Sequence, residues 1–140
     1  MQKIDFSQDW EFSFDPGFAD ASLVNLPHAA VAEPEVIAAP WEGICCYRKR
    51  FELKEEWRGR IIHLEIGGAM QTTQVFLNGE YCFTHFGGYQ RFLISLHDYG
   101  RFGEINTLEL RLDNRPAMDM APGKPLAGLD FCYHSGLYRE

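Results

Sequence analysis

Residues 72–96 read TTQVFLNGEYCFTHFGGYQRFLISL, and this stretch decides the fold class. Asn78-Gly79 stands between two runs rich in β-formers, residues 74–77 and 81–85. Asn and Gly accept positive φ in succession, as a two-residue type I′ turn requires, and that turn matches the twist of a hairpin. Gly87-Gly88-Tyr89 interrupts the second run, and residues 91–96 begin another strand. The stretch predicts a hairpin, a glycine loop and a third strand, with the flanking chain supplying further strands to pair with it.

Downstream, residues 107–113 alternate, with Leu108, Leu110 and Leu112 on one face. Upstream, residues 44–53 form the clearest strand. Cys45, Tyr47, Lys49, Phe51 and Leu53 share one face, and Cys46, Arg48, Arg50 and Glu52 share the other. Residues 60–66 alternate too, with Ile62, Leu64 and Ile66 pointing one way. Between these runs, residues 54–59 read as a polar turn from which Trp57 folds back onto the sheet. Residues 10–15 alternate aromatic and polar side chains and end at Pro16-Gly17, and a short apolar run at 23–26 stops at Pro27. Residues 29–42, with Pro34 and Pro40, read as a long surface loop of the kind that is functional or covers something. Residues 97–104 read as a connection and residues 114–128 as another long excursion. Gly136-Leu137-Tyr138-Arg139 looks like a turn entering a strand that the sequence does not contain. No amphipathic helix of three turns is visible. Eight or nine short strands with turn signals between them predict an all-β fold, a jelly-roll β-sandwich forming one domain over residues 1–140.

Composition narrows the function classes. Thirteen Lys and Arg against 20 Asp and Glu leave a formal charge of −7. That argues against a nucleic-acid partner, which needs clustered cations. Arg48-Lys49-Arg50, the longest basic run, alternates faces in a strand and makes no patch. No apolar stretch approaches the ~20 residues of a membrane helix, so no membrane partner is expected. Residues 1–10 carry acids and no apolar core, which is not the pattern of a signal peptide, and the compartment stays open between cytoplasm and periplasm. Of the four cysteines, Cys45 and Cys46 are adjacent, and neither they nor Cys82 and Cys132 form a CxxC pair; buried, inert thiols are expected.

No catalytic constellation appears: no GxSxG, no HExxH, and no glycine loop opening a helix. The histidines 28, 63, 85, 97 and 134 are scattered without ligand spacing and read as surface or satisfied structural residues. Glycoside cleavage needs two carboxylates flanking the scissile bond. Glu55-Glu56 reads instead as solvated charge. Asp130, between Leu129 and Phe131, could grip sugar hydroxyls while Phe131 or Tyr133 stacks on a sugar face, or it could simply brace its loop.

Several segments, in order, resemble glycoside hydrolase family 2. They are Leu26-Pro27-His28, Glu42-Gly43 followed by Tyr47-Arg48-Lys49-Arg50-Phe51, and Val75-Phe76-Leu77-Asn78-Gly79. They continue with His85-Phe86-Gly87-Gly88-Tyr89, Phe92, Asn106-Thr107-Leu108, Asp113-Asn114, Leu129-Asp130-Phe131 and Gly136-Leu137-Tyr138-Arg139. The resemblance runs from about Trp10 to Glu140, and its closing segment leans toward retaining β-galactosidases. It implies a galactose-binding-domain-like jelly roll, the N-terminal fragment of a larger multidomain glycosidase. An immunoglobulin-like domain and a TIM barrel would follow, with the catalytic glutamates in the barrel and none in this chain. The resemblance further implies that Asp130 reaches into the barrel's site; Trp41 and Tyr133, as loop aromatics, are additional candidate substrate contacts. It implies no cofactor in this chain, a sodium or magnesium ion in the parent enzyme, a carbohydrate substrate and a homo-oligomeric parent. Where the family places an asparagine contact, Pro40-Trp41-Glu42-Gly43 offers none. Two other readings stay open. One is an autonomous carbohydrate-binding module using Trp41, Tyr89 and Tyr133. The other is a purely structural or oligomerisation domain.

Overall fold

The computed structural model describes residues 1–31, 41–115 and 135–139. Eight strands lie among them: β1 (Trp10–Ser13), β2 (Ser22–Val24), β3 (Ile44–Leu53), β4 (His63–Ile66), β5 (Thr72–Leu77), β6 (Glu80–Phe86), β7 (Phe92–Ser95) and β8 (Glu104–Asp113). A 3-10 turn spans Glu55–Trp57, and a one-turn helix, α1, spans Leu96–Tyr99.

The strands form two antiparallel sheets. The larger has the order β2-β1-β3-β8-β5-β6, and β4 pairs with β7 in the smaller. The long central pair β3–β8 runs in unbroken register from Ile44 opposite Asp113 to Leu53 opposite Glu104. The expected hairpin is β5–β6, with Asn78 at φ 53° and Gly79 at φ 80°, as a type I′ turn demands. Asn78 also ties its turn to β8, since its side-chain oxygen accepts from Thr107 N–H at 3.0 Å.

Period-2 patterning builds the core. Tyr47 and Cys45 of β3, Val75 and Leu77 of β5, and Leu108, Leu110 and Leu112 of β8 all face inward and are buried. Leu64, Ile66, Phe92 and Ile94 of the smaller sheet meet them. Trp57 packs half-buried against this core, as expected.

Three details differ from the sequence reading. The strand read at 60–66 begins only at His63, because Ile62 N–H and C=O turn to the His97 side chain and Leu96 N–H. The connection read at 97–104 carries α1, and β8 begins at Glu104. The strand after the glycine loop leaves the hairpin's sheet and pairs with β4.

Candidate functional site

One end of the sandwich gathers the described residues that flank the expected sugar contacts. Ile44, Asp113 and Thr72 lie side by side there, at the start of β3, the end of β8 and the start of β5. The described residues flanking the two long stretches, Val31 and Trp41 around 32–40 and Arg115 and Ser135 around 116–134, stand at this same end. Ser135 Oγ accepts from Val31 N–H at 3.3 Å. Asn114, buried one residue before Arg115, accepts from Gly43 N–H through Oδ1 at 2.7 Å and donates through Nδ2 to Trp41 C=O at 2.8 Å. Its own N–H donates to Gly43 C=O at 3.1 Å. One asparagine thus fastens the Trp41 segment to the end of β8.

The closing segment 135–139 is fastened just as firmly. Tyr47 is fully buried on β3, and its hydroxyl oxygen accepts from Leu137 N–H at 3.3 Å. The same oxygen lies 2.8 Å from His28 Nδ1. The phenol proton can go to Nδ1 or to the His28 C=O at 3.5 Å, so the hydroxyl bonds His28 in either imidazole tautomer. His28 N–H donates to Leu137 C=O at 2.8 Å, closing a three-residue circuit. Phe12 covers both rings, at 4.7 Å from His28 and 5.1 Å from Tyr47. Burial lowers the His28 pKa and raises that of Tyr47, so both groups stay neutral near pH 7.

Gly136 fits only without a side chain. Its φ is +84°, and a Cβ would collide with the Tyr47 hydroxyl and lie 2.9 Å from Ala30 N and His28 O. Its carbonyl accepts from Met70 N–H at 3.1 Å, and Tyr138 donates its hydroxyl to Gly88 C=O. Close approach also explains two further glycines: the Tyr138 ring packs over Gly68, and the Met70 side chain fills the space beside Gly88.

Of the three expected contacts, Trp41 is half-buried. Its ring lies against Gly43 and meets Phe14 edge-on at 5.3 Å. Asp130 and Tyr133 fall outside the described residues, and the expected sodium or magnesium ion falls with Asp130. Tyr89, named for the module reading, is exposed near Tyr138. Sequence reasoning took Tyr47 as one more core residue and His28 as one of several scattered histidines. The signal that could have joined them was the Leu26-Pro27-His28, Tyr47-Arg48 and Gly136-Leu137-Tyr138-Arg139 motifs, which meet at this circuit.

The electrostatics of the described carboxylates follow from their arginine and backbone partners. Among the described residues, every carboxylate whose ionisation the surroundings shift is shifted downward. Hydrogen bonds from Arg48, Arg58 and Arg115 do this to Glu11, Glu55 and Asp113, and backbone donation from Ser7 does it to Asp5. A general acid for glycoside cleavage needs the opposite shift. Burial pushes the Cys45 thiol up to about 12 and Cys46 to about 11, so they are inert, as expected. Among the described residues no group of three or more His, Cys, Asp or Glu could hold a metal ion.

No family model matches the chain. Curated relatives do match, and from end to end. A β-glucuronidase of Bacteroides fragilis is 31% identical over 143 residues, a match spanning 99% of this chain and 20% of that protein. The chain belongs to glycoside hydrolase family 2. Within the family it is an N-terminal β-sandwich domain. A β-galactosidase of Thermoanaerobacterium thermosulfurigenes is 31% identical across 99% of the chain and 19% of its own length. Among solved structures, a Bacteroides fragilis protein assigned as a β-galactosidase superposes with a TM-score of 0.79 at 26% identity, covering 96% of this chain and 21% of that one. A Lactobacillus rhamnosus β-glucuronidase shares the fold, with a TM-score of 0.77 at 20% identity over 94% of this chain and 26% of its own. The chain spans about a fifth of the length of the curated relatives it matches.

Proposed function

We propose that this family 2 domain is the non-catalytic first part of a longer retaining β-glycosidase, of β-galactosidase type, that hydrolyses O-glycosidic bonds. In that enzyme it packs on an immunoglobulin-like domain and a TIM barrel and lends Asp130 to the rim of the barrel's site. The observation that carries this reading is the match across nearly the whole chain to glycosidases about five times as long. The closing circuit supports it. Tyr47, His28 and Leu137 fix the chain just after residues 116–134, and Asn114 fixes it just before.

The test is Asp130→Ala in the longer enzyme. A charged hydrogen bond contributes about 1.5–3 kcal/mol, so kcat/KM on the best glycoside should fall roughly 10- to 150-fold while the thermal midpoint stays put. An unchanged kcat/KM would remove Asp130 from the site.

A further inference from the structure

The outer face of the six-stranded sheet carries a groove that the reading above does not use. It has a volume of about 310 Å³, near the lower limit of small-molecule sites, and is lined by Thr72 and Gln74 of β5, Arg111 and Asp113 of β8, Ile44, Pro16 and Arg115. Strand register explains the grouping. Ile44, Asp113 and Thr72 lie side by side, and Cys46, Arg111 and Gln74 form the next row. Thr73, Val75, Leu110 and Leu112 point the other way, into the core.

Arg111 is the residue that sets the chemistry. Its guanidinium carbon lies 4.7 Å from the centre of the Phe76 ring, within cation–π distance. Among the described residues it makes no hydrogen bond and no ion pair, although Glu109 and Asp113 flank it two residues away on the same strand face. Asp113 is engaged instead by Arg115, at 2.5 Å. A guanidinium beside an aromatic ring, its N–H fork unpaired among the described residues, suits bidentate binding of a carboxylate. Beside it Gln74 offers an exposed amide. Phe86, directly across from Thr72 on β6 and 64% exposed, offers an apolar ring at the groove's edge. A carboxylate anchor, an amide and an aromatic platform together describe an acidic sugar.

We propose that this groove binds a uronate residue of an acidic oligosaccharide, with Arg111 holding the carboxylate, Gln74 meeting ring hydroxyls and Phe86 stacking on the sugar's C–H face. The proposal rests on Arg111, Gln74 and Phe86 and does not depend on the Asp130 assignment.

The test uses the 140-residue chain and its Arg111→Gln variant, titrated with trigalacturonate and followed by backbone amide NMR. A neutral trisaccharide and sodium acetate serve as controls. The expected result is saturable shifts at Gln74, Phe76, Phe86 and Arg111 with trigalacturonate alone. They should weaken as salt rises, and in Arg111→Gln, with its far-UV spectrum unchanged, the affinity should fall at least tenfold. Four results would each overturn the proposal: no shifts at tens of millimolar, equal shifts with acetate (a generic anion contact), equal shifts with the neutral trisaccharide, or undiminished binding by Arg111→Gln.

Discussion

Tyr47→Phe removes one oxygen atom from the closing circuit and nothing else. The ring keeps its packing against Phe12, so no cavity larger than a hydroxyl is made. Two partners lose their bonds. Leu137 N–H, in a fully buried residue, loses the acceptor at 3.3 Å, and His28 Nδ1 loses its partner at 2.8 Å. Each bond is worth about 1 kcal/mol net, and a buried donor left unsatisfied adds about 1–3 kcal/mol. Half-buried His28 recovers part of its loss by reaching water. The expected destabilisation is about 2–3 kcal/mol, or roughly 6–12 °C in the unfolding midpoint for a domain of this size. Urea unfolding followed by circular dichroism gives the total. Amide exchange locates it: protection should fall most at Leu137, His28 and Met70, and stay near wild type at Leu108 and Leu110. A loss below about 0.5 kcal/mol, or protection lost evenly along the chain, would refute the view that this hydroxyl fastens the closing segment.

Gly136→Ala should cost more than Tyr47→Phe, because a non-glycine residue at φ +84° costs about 1–2 kcal/mol before its methyl meets the Tyr47 hydroxyl. The double variant should lose less than the sum of the singles, since removing the hydroxyl makes room for the methyl; strict additivity in urea midpoints would contradict the collision. Stability should be highest between about pH 7 and pH 9. Burial lowers the folded pKa of His28 and His85, so as pH falls through the unfolded value near 6.5 the unfolded chain takes up protons that the folded rings refuse, and stability drops. Burial raises Cys45 and Cys46 to about 12 and 11, so above about pH 9 the unfolded thiols ionise first and stability drops again. A urea midpoint that is flat from pH 7.5 to pH 5.5 would contradict the histidine half of this argument.

Much of this was legible in the sequence where the cause is local. The bounds of β3 come from ten alternating residues that end at charged Lys54. Asn78-Gly79 names its own turn. Leu108, Leu110 and Leu112 declare their face by period alone. What stayed hidden depends on partners far along the chain. Period 2 says that Phe92 and Ile94 are buried, but not that their strand crosses to pair with β4. Gly88 reads as a breaker of the strand before it. Its closeness to Met70 and the Tyr138 hydroxyl needs contacts 18 and 50 residues away. His28 and Tyr47 carry no local mark of their bond across 19 residues, and only their membership of recurring family motifs connects them. At the site, the packing of the Trp41 ring against Gly43 and Phe14 is likewise set by the fold, with no local mark at Trp41 itself.

The central claim is that this domain contributes to a glycosidase site only as part of a longer enzyme. The measurement that tests it most directly is a titration of the 140-residue chain with galactose, lactose and mannose, read at the backbone amides of Trp41, Gly43, Asn114 and residues 135–139. The account predicts no saturable shift at these anchors up to tens of millimolar. Saturable shifts clustered there with any of the three sugars would contradict it and make the chain an autonomous carbohydrate-binding module.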